Sequence, residues 1–479
     1  MKAQTNRLTF SQQFFIATML FGLFFGAGNL IFPIFLGSQA GRNVWPAITG
    51  LLITGVGIPL LGVAAQGISR SNGLQEMAGR VSPRYSIFFT CALYLTIGPF
   101  FAIPRCASTS FTVGIEPLLG EDVNATVLLA VFSCVFFAAV LFFSLRPGKI
   151  LTWVGKLLTP LFLLVLAILV VTALLHPTDR IADVTPSAAY AAAPFFAGFL
   201  EGYNTMDALA SLAFGIVVIN VIRGLGVTEP GAIAKNTVLS GIFSCLFMGG
   251  IYVAVTIVGT RSHSLTVSCT NGGEAFAVIA EHYLGRAGLV VLALTVILAC
   301  LKTSIGLVTS CAETFTAMFP NGPKYGFWAI CFSIFSLLVT NIGLNAIIAI
   351  SLPVLMFLFP LAITLILLAL LGNLYGHDTV VYRWVTGFTL VAALFDFVKA
   401  LPKAITETPV VSAVIGFADS YLPFFKLRPE LKFCYGLTNC LDTDHPKRFK
   451  DPSMADRFMY ANSVKECRSK IIALTFYFE

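Results

Sequence analysis

Two apolar stretches of the sequence are interrupted by glycine, proline and short polar side chains. The first reads FGLFFGAGNLIFP (21–33), and the second reads PFFAGFLEGYNTMD (194–207). Glycine loses the most conformational freedom in a helix and proline removes a hydrogen-bond donor, so both helices are predicted to break. At such a break, the start of the following helix attracts an anion such as a carboxylate, and the freed carbonyls attract a cation. The two interruptions therefore predict a site for a small zwitterion and an accompanying cation. The alternative is that Gly-x-Gly marks a close helix-packing face, which is also typical of membrane spans.

Three ionisable side chains lie within apolar runs of the sequence. Glu201 and Asp207 lie in the second interrupted stretch, and Arg105 lies near the end of another apolar run. A charge at the centre of a bilayer costs at least ~2.5 kcal/mol, so such residues usually line water or pair with one another. We expect Arg105 either to pair with Glu201 or to cap a cavity.

A further polar group, Lys302-Thr303-Ser304, interrupts the apolar run near residue 300. The two hydroxyls either bond back to the preceding turn of their own helix or donate oxygens to a Na⁺ beside the first break. Lys302 would repel that Na⁺ if it pointed into the site, or it would itself act as a built-in, titrating cation. Adjacent helical residues are rotated by about 100°, so the three side chains need not face one spot.

Composition defines the class of element that must position these residues. Of the 479 residues, 57% are hydrophobic and 11% are charged, with a mean hydropathy of +0.87. Soluble proteins carry roughly 25% charged residues. These values exclude a soluble enzyme, a disordered chain, a disulfide scaffold and an outer-membrane barrel. They predict an all-α, polytopic membrane protein with room for about twelve spans of ~20 apolar residues.

The apolar runs place the predicted spans along the chain. They are predicted near 10–37, 44–69, 85–113, 123–144, 149–175, 188–220, 236–259, 286–315, 325–342, 345–371 and 380–400. A twelfth run, 409–425, is short and contains Asp419. The segment 270–285 is amphipathic and too short to span, so we expect an extracellular helix lying over the bundle.

The distribution of basic residues predicts the orientation. One set of alternate loops holds most of the Lys and Arg residues, among them Arg80, Arg84, Arg146 and Lys149. Basic loops lie on the cytoplasmic face, which places the N-terminus inside. The net charge of +7 is explained by these loops and does not indicate a nucleic-acid partner.

The spacing of the two interruptions predicts the domain organisation. They are about 175 residues apart with four whole spans between them, so two five-helix units would have opposite topology, as in inverted-repeat transporters. We expect repeats at about 8–175 and 188–371 and extra helices at 380–425, all within one transmembrane domain, 1–425. Residues 426–479 contain 17 charged residues and are predicted to form a soluble tail.

Four runs, occurring in order over about residues 8–420, resemble the bacterial branched-chain amino acid:cation symporter family. The runs are FGLFFGAGNLIFPIFLGSQAG (21–41), LYLTIGPFFAIPR (93–105), FFAGFLEGYNTMDALASLAFG (195–215) and LACLKTSIGLVTSCAE (298–313). The resemblance implies an inner-membrane carrier, not an enzyme, that imports leucine, isoleucine and valine by symport with Na⁺ or, in some members, H⁺. It implies no cofactor beyond that ion and no metal beyond Na⁺, and it leaves the oligomeric state open.

A wider similarity to the five-plus-five fold of sodium:neurotransmitter symporters implies site residues. Substrate contacts would come from the backbone of Gly26, Ala27, Gly28 and Asn29 and from a second wall that includes Gly198, Glu201, Gly202, Tyr203 and Asn204. The sodium site would consist of the carbonyls of Gly22 and Phe25 with Thr303 and Ser304.

The chain departs from the family near its end, where a complete last helix is expected after about residue 408. Here the apolar run stops near Phe425 and a charged tail, atypical for the family, follows. The alternative function is a symporter or channel for another small solute with the same broken-helix site. A channel would need a repeated pore segment or a ring of charges, and neither is seen in the sequence.

Overall fold

The computed structural model describes residues 8–26, 28–69, 71, 73–119 and 124–421, and all regular structure in these ranges is helical. The α-helices are α1 (Phe10–Phe24), α2 (Gly28–Ala40), α3 (Val44–Leu52), α4 (Ile58–Ile68), α5 (Leu74–Gly79), α6 (Pro83–Leu95), α7 (Ala102–Thr109), α8 (Ala125–Ser144), α9 (Thr159–Leu175), α10 (Ala188–Ala192), α11 (Pro194–Asn204), α12 (Asp207–Gly224), α13 (Pro230–Arg261), α14 (His263–Thr266), α15 (Gly272–Met318), α16 (Tyr325–Thr340), α17 (Leu344–Leu371), α18 (Thr379–Lys399), α19 (Lys403–Thr406) and α20 (Pro409–Tyr421).

Tighter and wider turns connect several of these helices. The π-helical segments are Ile53–Gly57, Thr96–Phe100, Ser110–Ile115 and Leu151–Leu158, and the 3₁₀ segments are Gly41–Asn43, Glu116–Leu118, Pro147–Lys149, Ile181–Asp183 and Gly372–Tyr375. In lipid, every backbone amide must be satisfied within the chain, which explains why an apolar sequence forms helices almost throughout.

The predicted all-α, polytopic class is confirmed. Within the described residues, nine helical stretches are long and apolar enough to cross a membrane, and α1 and α16 are shorter apolar helices. The predicted total of twelve spans remains a prediction, because the end of the twelfth run and the tail at 426–479 lie outside the described residues.

The predicted surface helix at 270–285 forms the first part of α15. This helix continues to Met318 and kinks at Gly285, which has φ 59° and ψ −147°. A positive φ is accessible to glycine because it has no Cβ. The kink lets the amphipathic part take a different direction from the apolar part, which carries Lys302.

The chain divides into two compact units, and every residue of the predicted site belongs to the first. The first unit takes in the described parts of Met1–Glu76 and Phe88–Ser351. The second contains Met77–Ile87 and the described residues after Leu352. Within it, the Arg80 guanidinium contacts His377 Nδ1 at 2.8 Å and donates to the Tyr382 hydroxyl at 3.3 Å.

Glycines bring two pairs of helices in the first unit into backbone contact. A Cβ on Gly37 of α2 would lie 2.0 Å from the Thr256 carbonyl oxygen of α13, and a Cβ on Gly198 of α11 would lie 2.0 Å from the Ala47 carbonyl oxygen of α3. No real Cβ approaches a backbone oxygen so closely. The small side chains therefore let α2 and α11, which flank the two predicted breaks, pack directly on their neighbours.

We expect Gly198→Ala to lower the stability of the protein, because its methyl group meets the α3 backbone rather than a movable side chain. Overpacking of this kind costs about 1–3 kcal/mol. The measurement is the melting temperature in detergent, with Gly250→Ala as a matched helical control because nothing lies within 4 Å of its Cβ position. An unchanged melting temperature together with a loss of substrate affinity would instead place Gly198 in the binding site.

Candidate functional site

The first break lies between α1 and α2. Helix α1 ends at Phe24, Phe25 and Gly26 are not helical, and α2 begins at Gly28. The Gly26 N–H donates to Asn29 Oδ1 at 2.9 Å, so a side chain from the following helix satisfies the freed amide. Ala27, predicted to contact substrate, lies outside the described residues.

The second break lies between α11 and α12. Helix α11 continues through Asn204, and Met206 has a left-handed backbone with φ 64°, immediately before α12 begins. A left-handed conformation costs a non-glycine residue roughly 1–2 kcal/mol, so the surrounding packing must impose it. The predicted stretch Gly198–Asn204 is therefore helical, and the interruption comes at its C-terminal edge. Gly202 is a packing residue like Gly198, since its Cβ position lies 1.9 Å from Thr54 Oγ1.

A buried polar triangle joins the two breaks. Asn29 Nδ2 donates to Asp207 Oδ2 at 2.6 Å and to the Tyr252 hydroxyl at 2.5 Å. The Tyr252 hydroxyl donates in turn to Asp207 Oδ2 at 2.8 Å. All three side chains are buried. A carboxylate that accepts two hydrogen bonds is fixed in place, so Asp207 holds the start of α12 beside the start of α2.

Lys302 meets the carbonyls freed at the end of α1. Its Nζ donates to the Gly22 carbonyl at 3.0 Å and to the Phe25 carbonyl, and Thr303 Oγ1 also approaches the Gly22 carbonyl at 3.4 Å. Three of the four predicted ion ligands thus come together. The fourth, Ser304, is buried, and its hydroxyl has no hydrogen-bond partner among the described residues.

Arg105 meets the carbonyl freed at the end of the other half-helix. Its Nη1 donates to the Asn204 carbonyl at 3.1 Å, and its guanidinium lies 5.7 Å from the centre of the Phe32 ring. Glu201 instead accepts a long hydrogen bond, 3.5 Å, from Asn204 Nδ2. Arg105 also lines the cavity described below, so of its two predicted roles the geometry favours capping a cavity over pairing with Glu201.

One cavity opens between the breaks. It is lined by Leu23, Phe24, Gly26, Gly28, Asn29, Ile97, Ala102, Arg105, Cys106, Thr205, Met206, Asp207, Ala210, Phe214, Thr303 and Leu307. Its walls are mainly apolar, and the two ionisable groups of opposite charge among them are Arg105 and Asp207.

The predicted site residues divide between this cavity and its surroundings. Gly26, Gly28, Asn29 and Thr303 line the cavity. Outside the lining are Gly22, Phe25, Gly198, Glu201, Gly202, Tyr203, Asn204 and Ser304.

Sequence reasoning missed Tyr252 and did not place Arg105 or Asp207 among the site residues. For Arg105 and Asp207 the signal was their charge within apolar runs. Tyr252 gave no signal beyond a hydroxyl in an apolar span, because its partners are distant in sequence.

Comparison with known proteins places this site in a family. The family model described as branched-chain amino acid transport protein matches residues 10–428. The chain is 51% identical over 421 residues to the branched-chain amino acid permease BrnQ of Lactobacillus delbrueckii subsp. lactis, covering 88% of this chain and 94% of that protein. It is 41% identical over 396 residues to BrnQ of Bacillus subtilis, covering 83% and 89% of the two chains.

The fold is similar to that of a solved transporter. The structure of Mhp1, a nucleobase-cation-symport-1 family transporter in a closed conformation with bromovinylhydantoin bound, matches with a TM-score of 0.55 at 15% identity. The match covers 88% of this chain and 96% of that one. The likeness supports the predicted transporter fold. The family match over residues 10–428 and the 51% identity to a BrnQ permease show that the chain belongs to the branched-chain amino acid transport protein family, whose members are multi-pass membrane transporters and not enzymes.

Proposed function

We propose that this protein is a secondary transporter that imports leucine, isoleucine and valine across the bacterial inner membrane by symport with Na⁺ or H⁺. The observation that carries the proposal is the cavity between two broken helices, which is apolar except for a few polar groups that include Arg105 and Asp207. The relatives support the substrate class, since both are named as branched-chain amino acid permeases.

The two charges fit the two ends of a zwitterion. The substrate carboxylate binds near Arg105 and the start of α2, where the guanidinium lies close to the Gly28 backbone: a Cβ there would be 3.2 Å from Arg105 Nη2. The substrate ammonium binds toward the Asp207 carboxylate. A guanidinium suits a carboxylate because its donors form a planar fork, and the helix start adds a favourable partial charge.

The remaining wall selects an aliphatic side chain. Leu23, Ile97, Phe214 and Leu307 offer apolar surface and no donor or acceptor. In such a pocket, one methylene discriminates by only about 1–3 kcal/mol, so leucine, isoleucine and valine compete with one another. A charged side chain is excluded because no partner would compensate its loss of hydration.

Transport requires the cavity to open alternately to the two sides of the membrane. In this proposal the repeats at about 8–175 and 188–371 move relative to each other, with the N-terminus in the cytoplasm. The cation drives uptake only if it binds one state better than the other, since a ligand with equal affinity for both states shifts nothing.

The test is uptake of radiolabelled leucine by the purified protein in proteoliposomes. We expect accumulation under an inward Na⁺ or H⁺ gradient, inhibition by excess isoleucine or valine, and no inhibition by lysine or glutamate. A protonophore distinguishes Na⁺ coupling from H⁺ coupling, because it abolishes only the uptake that is driven by the H⁺ gradient. Absence of uptake of all three amino acids under either gradient would refute the proposal, and ion conductance without substrate would favour a channel.

A further inference from the structure

The geometry of the first break assigns a specific role to Lys302. We infer that its ammonium group is a built-in, covalently attached cation that fills the position between the Gly22 and Phe25 carbonyls, so that no mobile Na⁺ binds there. This inference rests on the proposed function and deepens it, because that position is where the wider similarity to sodium:neurotransmitter symporters places a coupling Na⁺.

The contacts of Nζ account for the polarity of the helix end. The carbonyls left without partners at the end of α1 carry partial negative charge and need a cation or a donor. Nζ donates to both the Gly22 and the Phe25 carbonyl, and the whole Lys302 side chain is buried. The two carbonyls therefore already have the cationic partner that Na⁺ would otherwise provide.

The rest of the surroundings suits an ammonium group better than a sodium ion. The face of the Phe162 ring lies 4.3 Å from Nζ, and the rings of Phe21 and Phe25 lie at 5.6 Å. Aromatic faces attract an ammonium group through the ring quadrupole, whereas a hard metal ion requires oxygen ligands. The carbonyl oxygens of the predicted sodium site thus contact the Lys302 ammonium group, which, unlike Na⁺, does not need further oxygen ligands.

The neighbouring charges do not invite a second cation. Helices α1 and α9, which supply the carbonyls and the Phe162 ring, contain no ionisable side chain. The carboxylate whose charge acts at Lys302 is that of Asp207. The Asp207 carboxylate is held by Asn29 and Tyr252 and lines the cavity, where the proposed function assigns it to the substrate ammonium. A Na⁺ entering beside the ammonium would meet a like charge in surroundings of low polarity, where repulsion is strong.

Removal of the amine should expose a site for a metal ion. The Gly22 and Phe25 carbonyls would lose their partner, while the Thr303 hydroxyl remains next to them. Lys302→Ala is therefore expected to bind Na⁺ where the unchanged protein does not.

The experiment measures the melting temperature in detergent at equal ionic strength in NaCl or choline chloride. In choline, Lys302→Ala should melt below the unchanged protein because it loses both carbonyl contacts. NaCl should then raise the melting temperature of Lys302→Ala by about 3 °C or more, in a saturable manner, and that of the unchanged protein by much less. Lys156→Ala is the matched control, since Lys156 is exposed and its Nζ lies over the Phe15 ring instead of bonding to the carbonyls of the break. This control should respond to NaCl like the unchanged protein.

Two results would overturn the inference. One is a folded Lys302→Ala that responds to NaCl no more than the unchanged protein. The other is an unchanged protein whose response to NaCl disappears in Thr303→Val, because the Thr303 hydroxyl approaches the Gly22 carbonyl and such a loss would place a mobile Na⁺ at the site with the lysine present. If Lys302→Ala does not fold, the second comparison still decides the matter. A NaCl response that is not lost in that variant then supports the inference.

Leucine counterflow in the same preparations separates this inference from the proposed function. A protein that exchanges no branched-chain amino acid contradicts the proposed function, whereas the comparison of melting temperatures stands independently of transport.

Discussion

Asp207→Asn is expected to reduce leucine uptake, measured as Vmax/KM, by about 100-fold or more while leaving the protein folded. The amide oxygen of asparagine can still accept hydrogen bonds from Asn29 and Tyr252, so the triangle joining the two breaks keeps its geometry. The substrate ammonium loses its negative partner. Hydrogen bonds to charged groups contribute about 1.5–3 kcal/mol, and each 1.4 kcal/mol corresponds to a factor of ten.

Tyr252→Phe is the matched control for the Asp207 substitution. It removes one hydrogen bond to the carboxylate but retains the charge, so we expect a loss of about tenfold, mainly through less accurate placement of Asp207. Initial rates in proteoliposomes over a range of leucine concentrations, with the melting temperature of each variant, provide the comparison. Unchanged leucine affinity in Asp207→Asn would mean that the carboxylate has only a structural role and that the substrate ammonium binds elsewhere.

Arg105→Gln is expected to reduce uptake by a similar factor, about 100-fold, for two connected reasons. The guanidinium would no longer bind the substrate carboxylate, and the Asn204 carbonyl at the end of α11 would lose its cationic partner. Arg105→Lys should recover only part of the activity, because an ammonium group is a point charge that cannot present a planar pair of donors to a carboxylate. The measurement is the leucine KM and Vmax in proteoliposomes, together with the melting temperature.

Arg146→Gln is the control for the Arg105 variants, because Arg146 is exposed, lies over the Phe142 ring and is not among the residues that line the cavity. It should transport at nearly the normal rate. If Arg105→Lys transported as well as the unchanged protein, bidentate binding of the carboxylate would be wrong. If Arg105→Gln lost stability but kept its leucine affinity, the residue would serve only to cap α11.

The pattern of glycines illustrates both the power and the limit of reading the sequence. Glycines in apolar spans indicate either a break or a close packing face, and this protein uses both. Gly26 lies in the break between α1 and α2, whereas Gly198 and Gly202 pack against α3 and Thr54. Because the two uses look alike in sequence, the sequence predicts an interruption within 194–207 but not its position, which the structure shows at Met206.

The hydroxyl and lysine group on α15 shows a second limit. Rotation about the helix indicated that Lys302, Thr303 and Ser304 need not share one spot. In the structure, Lys302 and Thr303 both reach the Gly22 carbonyl, whereas the Ser304 hydroxyl has no partner among the described residues. Which side of the helix faces α1 is set by the packing of α15 against its neighbours, and that packing is not encoded in local spacing.

The sequence by itself determined the membrane class, the helical fold and the presence of two interrupted helices, because these depend on local composition: apolar runs of bilayer length, and residues that lower helix stability within them. Only the tertiary structure decided which groups meet at the breaks. Asn29 lies 178 residues from Asp207 and 223 from Tyr252 along the chain, yet the three share hydrogen bonds. The physical reason is that the relative rotation and depth of the packed helices decide which side chains come within hydrogen-bonding distance. That rotation and depth are set by the burial of many apolar side chains that are distant in sequence.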